Sequence, residues 1–179
     1  RLLIVSLCSV GTDIASAYAC SFCTENQIVL NYVVNILHFL VQNFVPCLYC
    51  LFAYSLVYEN INIGSNVTSI GRDAFLNSVE LENIVVDENN AYYSSLDGIL
   101  FNKDKTVLLR YPTGNSAKSY TVPAGVTTIG YAAFVSSAKL TSVTIPDSVT
   151  TIGDSAFAWC DSLTSVTIPD SVTSIGNEA

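Results

Sequence analysis

The stretch Leu140-Thr-Ser-Val-Thr-Ile-Pro-Asp-Ser-Val-Thr-Thr-Ile-Gly-Asp-Ser-Ala156 occurs a second time, as Leu163-Thr-Ser-Val-Thr-Ile-Pro-Asp-Ser-Val-Thr-Ser-Ile-Gly-Asn-Glu-Ala179. Of the 17 aligned positions, 14 are identical, and the two copies are offset by 23 residues. Two earlier units keep the same register with lower identity, one within residues 117–134 and one within residues 61–75. A period of this length is typical of repeat proteins in which each unit stacks on the next.

Each unit combines two short extended pieces with a compact turn. Residues 142–145 alternate polar and apolar side chains, which is the pattern of a strand with one buried and one wet face. A second extended piece, residues 149–152, ends at Gly153, where the absence of a Cβ suits close packing between coils. Residues 154–160 have the composition of a short helical turn, and Asp154 is placed to cap it.

A single unit has too few apolar side chains to form a core of its own. Each aliphatic side chain contributes about 1.5–3 kcal/mol when it is buried, and it needs the neighbouring coil for that burial. In the unit from Leu140 these positions are Leu140, Val143, Ile145, Val149, Ile152, Ala156, Phe157 and Cys160. The sequence therefore predicts a repeat solenoid of short parallel strands and short helical turns over residues 59–179. The last unit stops where the repeat would place an aromatic residue, so we expect a solenoid truncated at its C-terminus.

One interval departs from the period. Val86 and Val122 are 36 residues apart, which is one repeat of 23 plus 13 further residues. Residues 97–112 contain two apolar runs that flank the polar turn 102–105, and this pattern predicts a β-hairpin. We place the hairpin insertion at about residues 87–116. It is expected to reach the core through Ile99, Phe101, Val107 and Leu109.

The repeated phrase, with Ala156 and Phe157 four and five residues after Ile152, resembles the BspA-like class of leucine-rich repeats. The insertion that begins Asp97-Gly-Ile-Leu-Phe-Asn-Lys is also similar to one found in that class. The resemblance covers residues 59–179 and implies a leucine-rich-repeat-like fold. It further implies a cell-surface or secreted protein that adheres to host proteins, other cells or matrix.

Residues 1–58 have a different composition from the repeats. Residues 28–58 contain no Asp, Glu, Lys or Arg and exceed the ~20 residues that cross a bilayer, which favours a membrane-associated apolar helix. Residues 2–19 have the outline of a signal peptide whose start is missing. A competing interpretation is non-native translation, because the repeat register is absent from residues 1–58. The sequence leaves both interpretations open.

No group of residues in the sequence has the pattern of a catalytic site, so we expect no enzyme activity, no cofactor and no metal. His38 is the single histidine, so any Ser-His-Asp or Cys-His arrangement would need it, and it lies in an apolar run outside the repeats. The C-x-x-C pairs at residues 20–23 and 47–50 lie farther apart than zinc-site pairs usually do. Residues 87–90 with Asp97 offer oxygen ligands for calcium, although their composition is also that of a turn.

The charge distribution bears on the partners. The net charge is −8 and the basic residues are scattered, which argues against nucleic acid because phosphate contacts need clustered Lys and Arg. Membrane association is expected only through residues 28–58. Asn66-Val-Thr68 matches the acceptor triplet for N-linked glycosylation, which matters only in a secreted protein.

Hydroxyl residues recur at fixed repeat positions and mark a candidate binding face. We expect them to form exposed ladders on the outer faces of the parallel sheets, although β-branched residues suit exposed strands in any case. The three columns are Ser119, Ser142 and Ser165; Thr121, Thr144 and Thr167; and Thr127, Thr150 and Thr173. The main hypothesis is an adhesion module that binds protein or glycan ligands on host cells, matrix or other cells. The alternative is a structural spacer that carries another domain.

Overall fold

The computed structural model describes residues 59–76 and 78–179. The predictions for residues 1–58, which are the signal peptide, the membrane-associated helix, His38 and the C-x-x-C pairs, lie outside this part of the chain. Within the part described, no helix combines the length and the apolar composition that a membrane span needs. The described residues form stacked coils of short β-strands that follow the 23-residue period.

Short strands make up the regular secondary structure of the described residues. They are β1 (Asn60–Ile63), β2 (Asn83–Val86), β3 (Tyr93–Leu96), β4 (Ile99–Asn102), β5 (Val107–Arg110), β6 (Ser119–Thr121), β7 (Thr128–Ile129), β8 (Ser142–Thr144), β9 (Thr151–Ile152), β10 (Ser165–Thr167) and β11 (Ser174–Ile175). In β8 the central Val143 is buried and its two neighbours are exposed, as the alternating pattern predicts.

These strands pair into three sheets within the described residues. β1 and β2 form a parallel pair, and β10, β8 and β6 form a parallel sheet in that order. The third sheet has the order β11-β9-β7-β5-β4-β3; it is parallel from β11 to β5 and antiparallel from β5 to β3. Tyr120, Val143 and Val166 are direct neighbours across the strands, which confirms the predicted solenoid register.

The core of the regular coils consists of columns of equivalent side chains. Val126 and Val149 are both fully buried, and so are Ile129 and Ile152, each one repeat apart. An aromatic column runs beside them. The ring of Phe134 stacks on Phe157 with centroids 5.0 Å apart, and on Tyr111 with centroids 5.3 Å apart. Each coil therefore buries its apolar face against the next one, as the period requires.

The predicted helical turn at residues 154–160 is wrong. This segment and its equivalent one repeat earlier are runs of turns in which alternate N–H groups leave the coil. The N–H of Phe134 donates to the Ala156 carbonyl oxygen (2.8 Å), whereas the N–H of Val135 donates within its own coil to Ala132 (3.1 Å). A helix would keep all these bonds inside one segment. Left-handed φ angles at Ala132, Ser136, Ser155 and Trp159 produce the alternation.

Asp154 does not cap a helix either. Its Oδ1 accepts the backbone N–H of Asn177 in the following coil, at 2.9 Å. The carboxylate thus satisfies a donor of the neighbouring turn segment, and its role is to join two coils.

The insertion contains the predicted hairpin and one strand more. β4 and β5 are antiparallel around the turn at residues 103–106, as the polar turn indicated. β3 adds a third strand, joined to β4 by Asp97 (φ 52°) and Gly98 (φ 79°). Two left-handed residues with the sequence Asp-Gly are typical of a tight hairpin turn, so the signal for β3 was present in the sequence.

The core contacts of the insertion differ in part from the expectation. Ile99 and Phe101 are buried as expected. On β5, Leu108 and Arg110 are buried, while Val107 and Leu109 are half-buried. Leu109 packs against the core cluster that contains Leu100, whereas Val107 belongs to no cluster. The register of β4 against β5 shifts between Leu100 and Phe101: Leu100 pairs with Arg110 and Phe101 with Leu108, so Leu109 is an extra residue on β5.

Candidate functional site

The first two hydroxyl columns lie together on the sheet formed by β6, β8 and β10. Its outer face presents two residues from each strand, and all six are exposed. In register they are Ser119, Ser142 and Ser165 beside Thr121, Thr144 and Thr167. Strands in such a sheet are about 4.8 Å apart, so the six hydroxyl groups form a compact grid. We refer to these six residues as the hydroxyl face.

The hydroxyl groups of this face make no hydrogen bond with any other described residue. Each retains one donor and two acceptor lone pairs for an external partner. The side chains between them, at Tyr120, Val143 and Val166, point the other way and pack into the core. The core side chains therefore fix the position of the hydroxyl face, while its hydroxyl groups remain free to bind a partner.

The third hydroxyl column has a different environment. Thr127, Thr150 and Thr173 precede β7, β9 and β11 of the other sheet, so the nine predicted residues divide between two sheets. Their hydroxyl groups donate to the carbonyl oxygen of the preceding coil at 3.2, 3.3 and 3.3 Å. These three hydroxyl groups donate within the stack, while their exposed oxygen atoms keep acceptor lone pairs.

A second exposed cluster lies where the turn segments of different coils meet. The guanidinium carbon of Arg72 lies 3.6 Å from the ring centroid of Tyr131, and its Nη2 lies 3.7 Å from Asp154 Oδ2. Each of the three residues directly follows the glycine that ends the second extended piece of its repeat, so the repeat alignment could have identified the column. An exposed cation–π pair of this kind contributes about 0.5–1 kcal/mol.

Trp159 lies on the surface beside the turn segments. Its side chain is 75% exposed, and its backbone has a left-handed φ of 60°. The adjacent Cys160 is half-buried, and its thiol donates to the Phe134 carbonyl oxygen at 3.0 Å. Burial raises the pKa of the Cys160 thiol, so this cysteine has the character of an unreactive packing residue.

The loop considered for calcium already has internal partners. Asp87 Oδ1 accepts the N–H of Asn89 (2.9 Å), and the Asn90 amide donates to the Gly64 carbonyl oxygen (2.8 Å). The ammonium group of Lys103 donates to the Glu88 carbonyl oxygen (3.0 Å). Across residues 59–76 and 78–179, no three His, Cys, Asp or Glu side chains converge as metal ligands would. The Lys103 ammonium group also donates to the Asn90 carbonyl oxygen, so it joins two carbonyl groups of this loop.

The glycosylation triplet lies on the surface. Asn66 and Thr68 are exposed, while Val67 between them is fully buried. The triplet follows β1 in a turn closed by the Val67 N–H to the Gly64 carbonyl oxygen (3.2 Å).

Comparison with known proteins points to one family and one fold. A family model described as BspA type leucine-rich repeat region matches residues 48–105 and 111–179 in six copies. No curated protein sequence matches the chain.

Solved structures of bacterial proteins resemble the fold. A leucine-rich repeat protein from Eubacterium ventriosum ATCC 27560 is 36% identical, with a TM-score of 0.64 over 66% of this chain and 32% of that one. The pneumococcal vaccine antigen PcpA is 25% identical, with a TM-score of 0.62 over 66% of this chain and 35% of that one. A leucine-rich cell surface protein from Faecalibacterium prausnitzii A2-165 is 26% identical, with a TM-score of 0.48, over 68% of this chain and 48% of that one. The chain spans less than half the length of each.

The family match and the coordinates agree in detail. The matched segments include every strand except β5, which lies in the gap between them at residues 106–110. The columns of equivalent residues that the match implies are the ones that pair in the sheets. The chain therefore belongs to the BspA type leucine-rich repeat family.

Proposed function

We propose that the chain is a cell-surface or secreted module that binds a protein or glycan partner through its repeat surface. The observation that carries the proposal is the hydroxyl face, six exposed Ser and Thr residues in strict register with no partner among the described residues. A grid of uncommitted donors and acceptors on a rigid sheet suits a partner that is itself rich in polar groups.

The solved relatives support a location outside the cell. One of them is described as a pneumococcal vaccine antigen, which suggests a protein that is accessible at a bacterial surface. Membrane association through residues 28–58 remains a prediction from the sequence, and it would provide the anchor for such a location. The chain matches about a third of that antigen's length, so the kind of partner is proposed for this chain from its own surface.

Affinity at the hydroxyl face would come from several modest contacts. A hydrogen bond between neutral groups contributes about 0.5–1.5 kcal/mol net, so single hydroxyl groups matter little and the array matters more. The face carries no charged residue. Binding through it should therefore depend weakly on salt, in contrast to binding through Arg72, which would weaken as ionic strength rises.

A spacer function remains the alternative, and one observation favours it. The third hydroxyl column shows that part of the polar surface serves the stack itself. A stalk needs this internal bonding and no external partner. The two functions differ in whether the isolated chain binds anything.

The test uses the full 179-residue chain against a panel of extracellular-matrix proteins and a glycan array. We expect one class of probe to bind, and the double variant Ser142→Ala with Thr144→Ala to bind it about ten-fold more weakly, since two hydrogen bonds are lost. Thr150→Val is the matched control because its hydroxyl is committed to Thr127, and it should bind as the wild type does. Absence of binding to both panels would leave the spacer as the function. Binding that survives the double variant would move the site away from the hydroxyl face.

A further inference from the structure

The backbone hydrogen-bond network of the solenoid is interrupted at the insertion. We call residues 59–76 and 78–86 the N-terminal block and residues 117–179 the C-terminal block. The sheet of β1 and β2 contains no strand of the C-terminal block, and the six-stranded sheet contains no strand that precedes Tyr93. The links from β2 to the insertion are individual bonds, such as the Ile84 N–H to the Gly98 carbonyl oxygen at 2.8 Å. No ladder therefore runs through both blocks.

The hydrophobic core divides at the same place. One cluster of buried residues lies mainly in the N-terminal block and includes Ile61, Phe75 and Ile84. The second combines residues of the C-terminal block, such as Val126 and Phe134, with the insertion residues Ile99, Phe101, Leu108 and Tyr111. Strand β4 separates them. Leu100 belongs to the N-terminal cluster, while Ile99 and Phe101 on either side of it belong to the C-terminal cluster. A strand with both faces buried thus forms a partition between two cores.

Arg110 spans this partition with a buried side chain. Its Nη2 donates to the Phe75 carbonyl oxygen in the N-terminal block (2.9 Å), and its Nη1 donates to the Ala132 carbonyl oxygen in the C-terminal block (2.8 Å). Its remaining partner is the Thr113 hydroxyl (3.1 Å), and its Nε has none among the described residues. Burial lowers the pKa of Arg110 to about 10, and no described carboxylate forms an ion pair with it.

This arrangement has a consequence for stability. In a solenoid each coil is stabilised by its neighbours, and cooperativity passes through the interface between adjacent coils. At the insertion, both the strand ladders and the hydrophobic core are interrupted, so the free energy that couples the two blocks should be small. The Arg110 guanidinium group is buried and bonds to both blocks at once.

We propose that the solenoid divides at β4 into two units that unfold separately, and that Arg110 sets the strength of the coupling between them. The exposed Arg72 also bridges the blocks, through Tyr131 and Asp154, but an exposed pair contributes little because water and salt screen it. The proposal concerns the mechanics of the stack and is independent of what the hydroxyl face binds.

The test is hydrogen exchange measured by mass spectrometry on the full chain and on Arg110→Met. In the wild type, the amides of β1 and β2 should exchange faster, with smaller protection factors, than the amides of β8 and β9. Arg110→Met leaves two carbonyl groups without this donor. We expect it to speed exchange in the N-terminal block about ten- to hundred-fold and to change the C-terminal block less than about three-fold. Equal protection in both blocks of the wild type, or an equal change in both, would overturn the proposal.

Two further variants sharpen the result. Arg72→Gln removes the exposed bridge between the same two blocks, and we expect at most about a five-fold change because surface pairs contribute so little. Arg110→Lys keeps a cation but cannot reach both carbonyl oxygens at once, so it should show the same asymmetry at a smaller size. If Arg110→Met does not fold, Arg110→Lys and the wild-type comparison decide the question. A larger effect from Arg72→Gln than from either Arg110 variant would contradict the assigned role.

Discussion

The regular coils of the C-terminal block and the coil that carries the insertion, which we call the interrupted coil, both stack on their neighbours, but they use different side chains to do so. In the regular coils, equivalent residues pair column by column, so one solution is reused every 23 residues. In the interrupted coil, the ring of Tyr111 stacks where a phenylalanine would continue the column, and the Arg110 side chain bonds to carbonyl groups of both blocks. The stack therefore requires that each column be filled, and residues outside the repeat pattern can fill it.

The largest expected effect comes from the aromatic column at the junction of the two regions. Phe134 contacts Tyr111 on one side and Phe157 on the other, and it is fully buried. Phe134→Ala should lower the free energy of unfolding by about 3–5 kcal/mol, measured by urea denaturation. Phe157→Ala should cost less because that ring is half-buried. Equal losses from the two variants would show that the column does not link the regions.

A smaller effect is expected where the regular coils approach most closely. A Cβ at Gly153 would lie 2.8 Å from the backbone carbon of Gly130 and from the nitrogen of Tyr131. Gly153→Ala should therefore destabilise by about 1–3 kcal/mol, since a backbone must shift. Gly125→Ala is the control: its Cβ would meet nothing within 4 Å, so it should be neutral or stabilise by about 0.4–1 kcal/mol. Thermal midpoints of both variants measure the difference, and similar midpoints would contradict close packing at Gly153.

The smallest expected effect on the free energy of unfolding at neutral pH is that of Tyr111→Phe. The difference between this variant and the wild type grows as the pH rises. Burial raises the pKa of Tyr111 to about 12, whereas an unfolded tyrosine has a pKa of about 10. The stability that this group contributes is thus fully present below about pH 10 and is lost as the pH rises towards 12. Tyr111→Phe removes this loss, at a cost of about 1 kcal/mol or less at neutral pH for the hydroxyl bond to Asn115.

Urea midpoints at about pH 8 and about pH 11 test this prediction, and the variant should show the shallower decline. Some decline will remain because burial also raises the pKa of Tyr120. The lowered pKa of Arg110 makes the folded state more stable as the pH rises over this range, which opposes the effect of the tyrosines. Both proteins contain Arg110, so its effect cancels in the comparison. Tyr92→Phe, at an exposed position, should behave as the wild type. Parallel declines in Tyr111→Phe and the wild type would contradict the assignment.

The period predicted the ladders correctly because burial and strand register both follow it. Val143 and Val166 pair as their separation of 23 residues indicated, and the polar turn at residues 102–105 predicted β4 and β5. The prediction of helical turns was wrong because an alanine-rich segment such as Ser155-Ala-Phe-Ala158 favours a helix when it is considered locally. Bonds to the adjacent coil decide the outcome instead, and they hold Ala132 and Ser155 in left-handed conformations.

The candidate site was predictable in part. The repeat identified all nine hydroxyl residues, but only neighbouring backbone positions reveal that Thr127, Thr150 and Thr173 donate within the stack. Arg110 had no signal in the sequence, because a buried arginine in an apolar run looks the same as an exposed one. The outward position of Trp159 could not be predicted either, because it follows from a left-handed backbone angle that the neighbouring residues in the sequence do not indicate.

The position of Trp159 gives the chain a selective optical reporter. It is the single tryptophan in 179 residues, and its indole already meets water in the folded state. Unfolding should therefore shift its emission little, while a partner that covers this corner should shift the emission to the blue. Intrinsic fluorescence would then be nearly silent to denaturation and responsive to docking beside the turn segments, without any label on the protein.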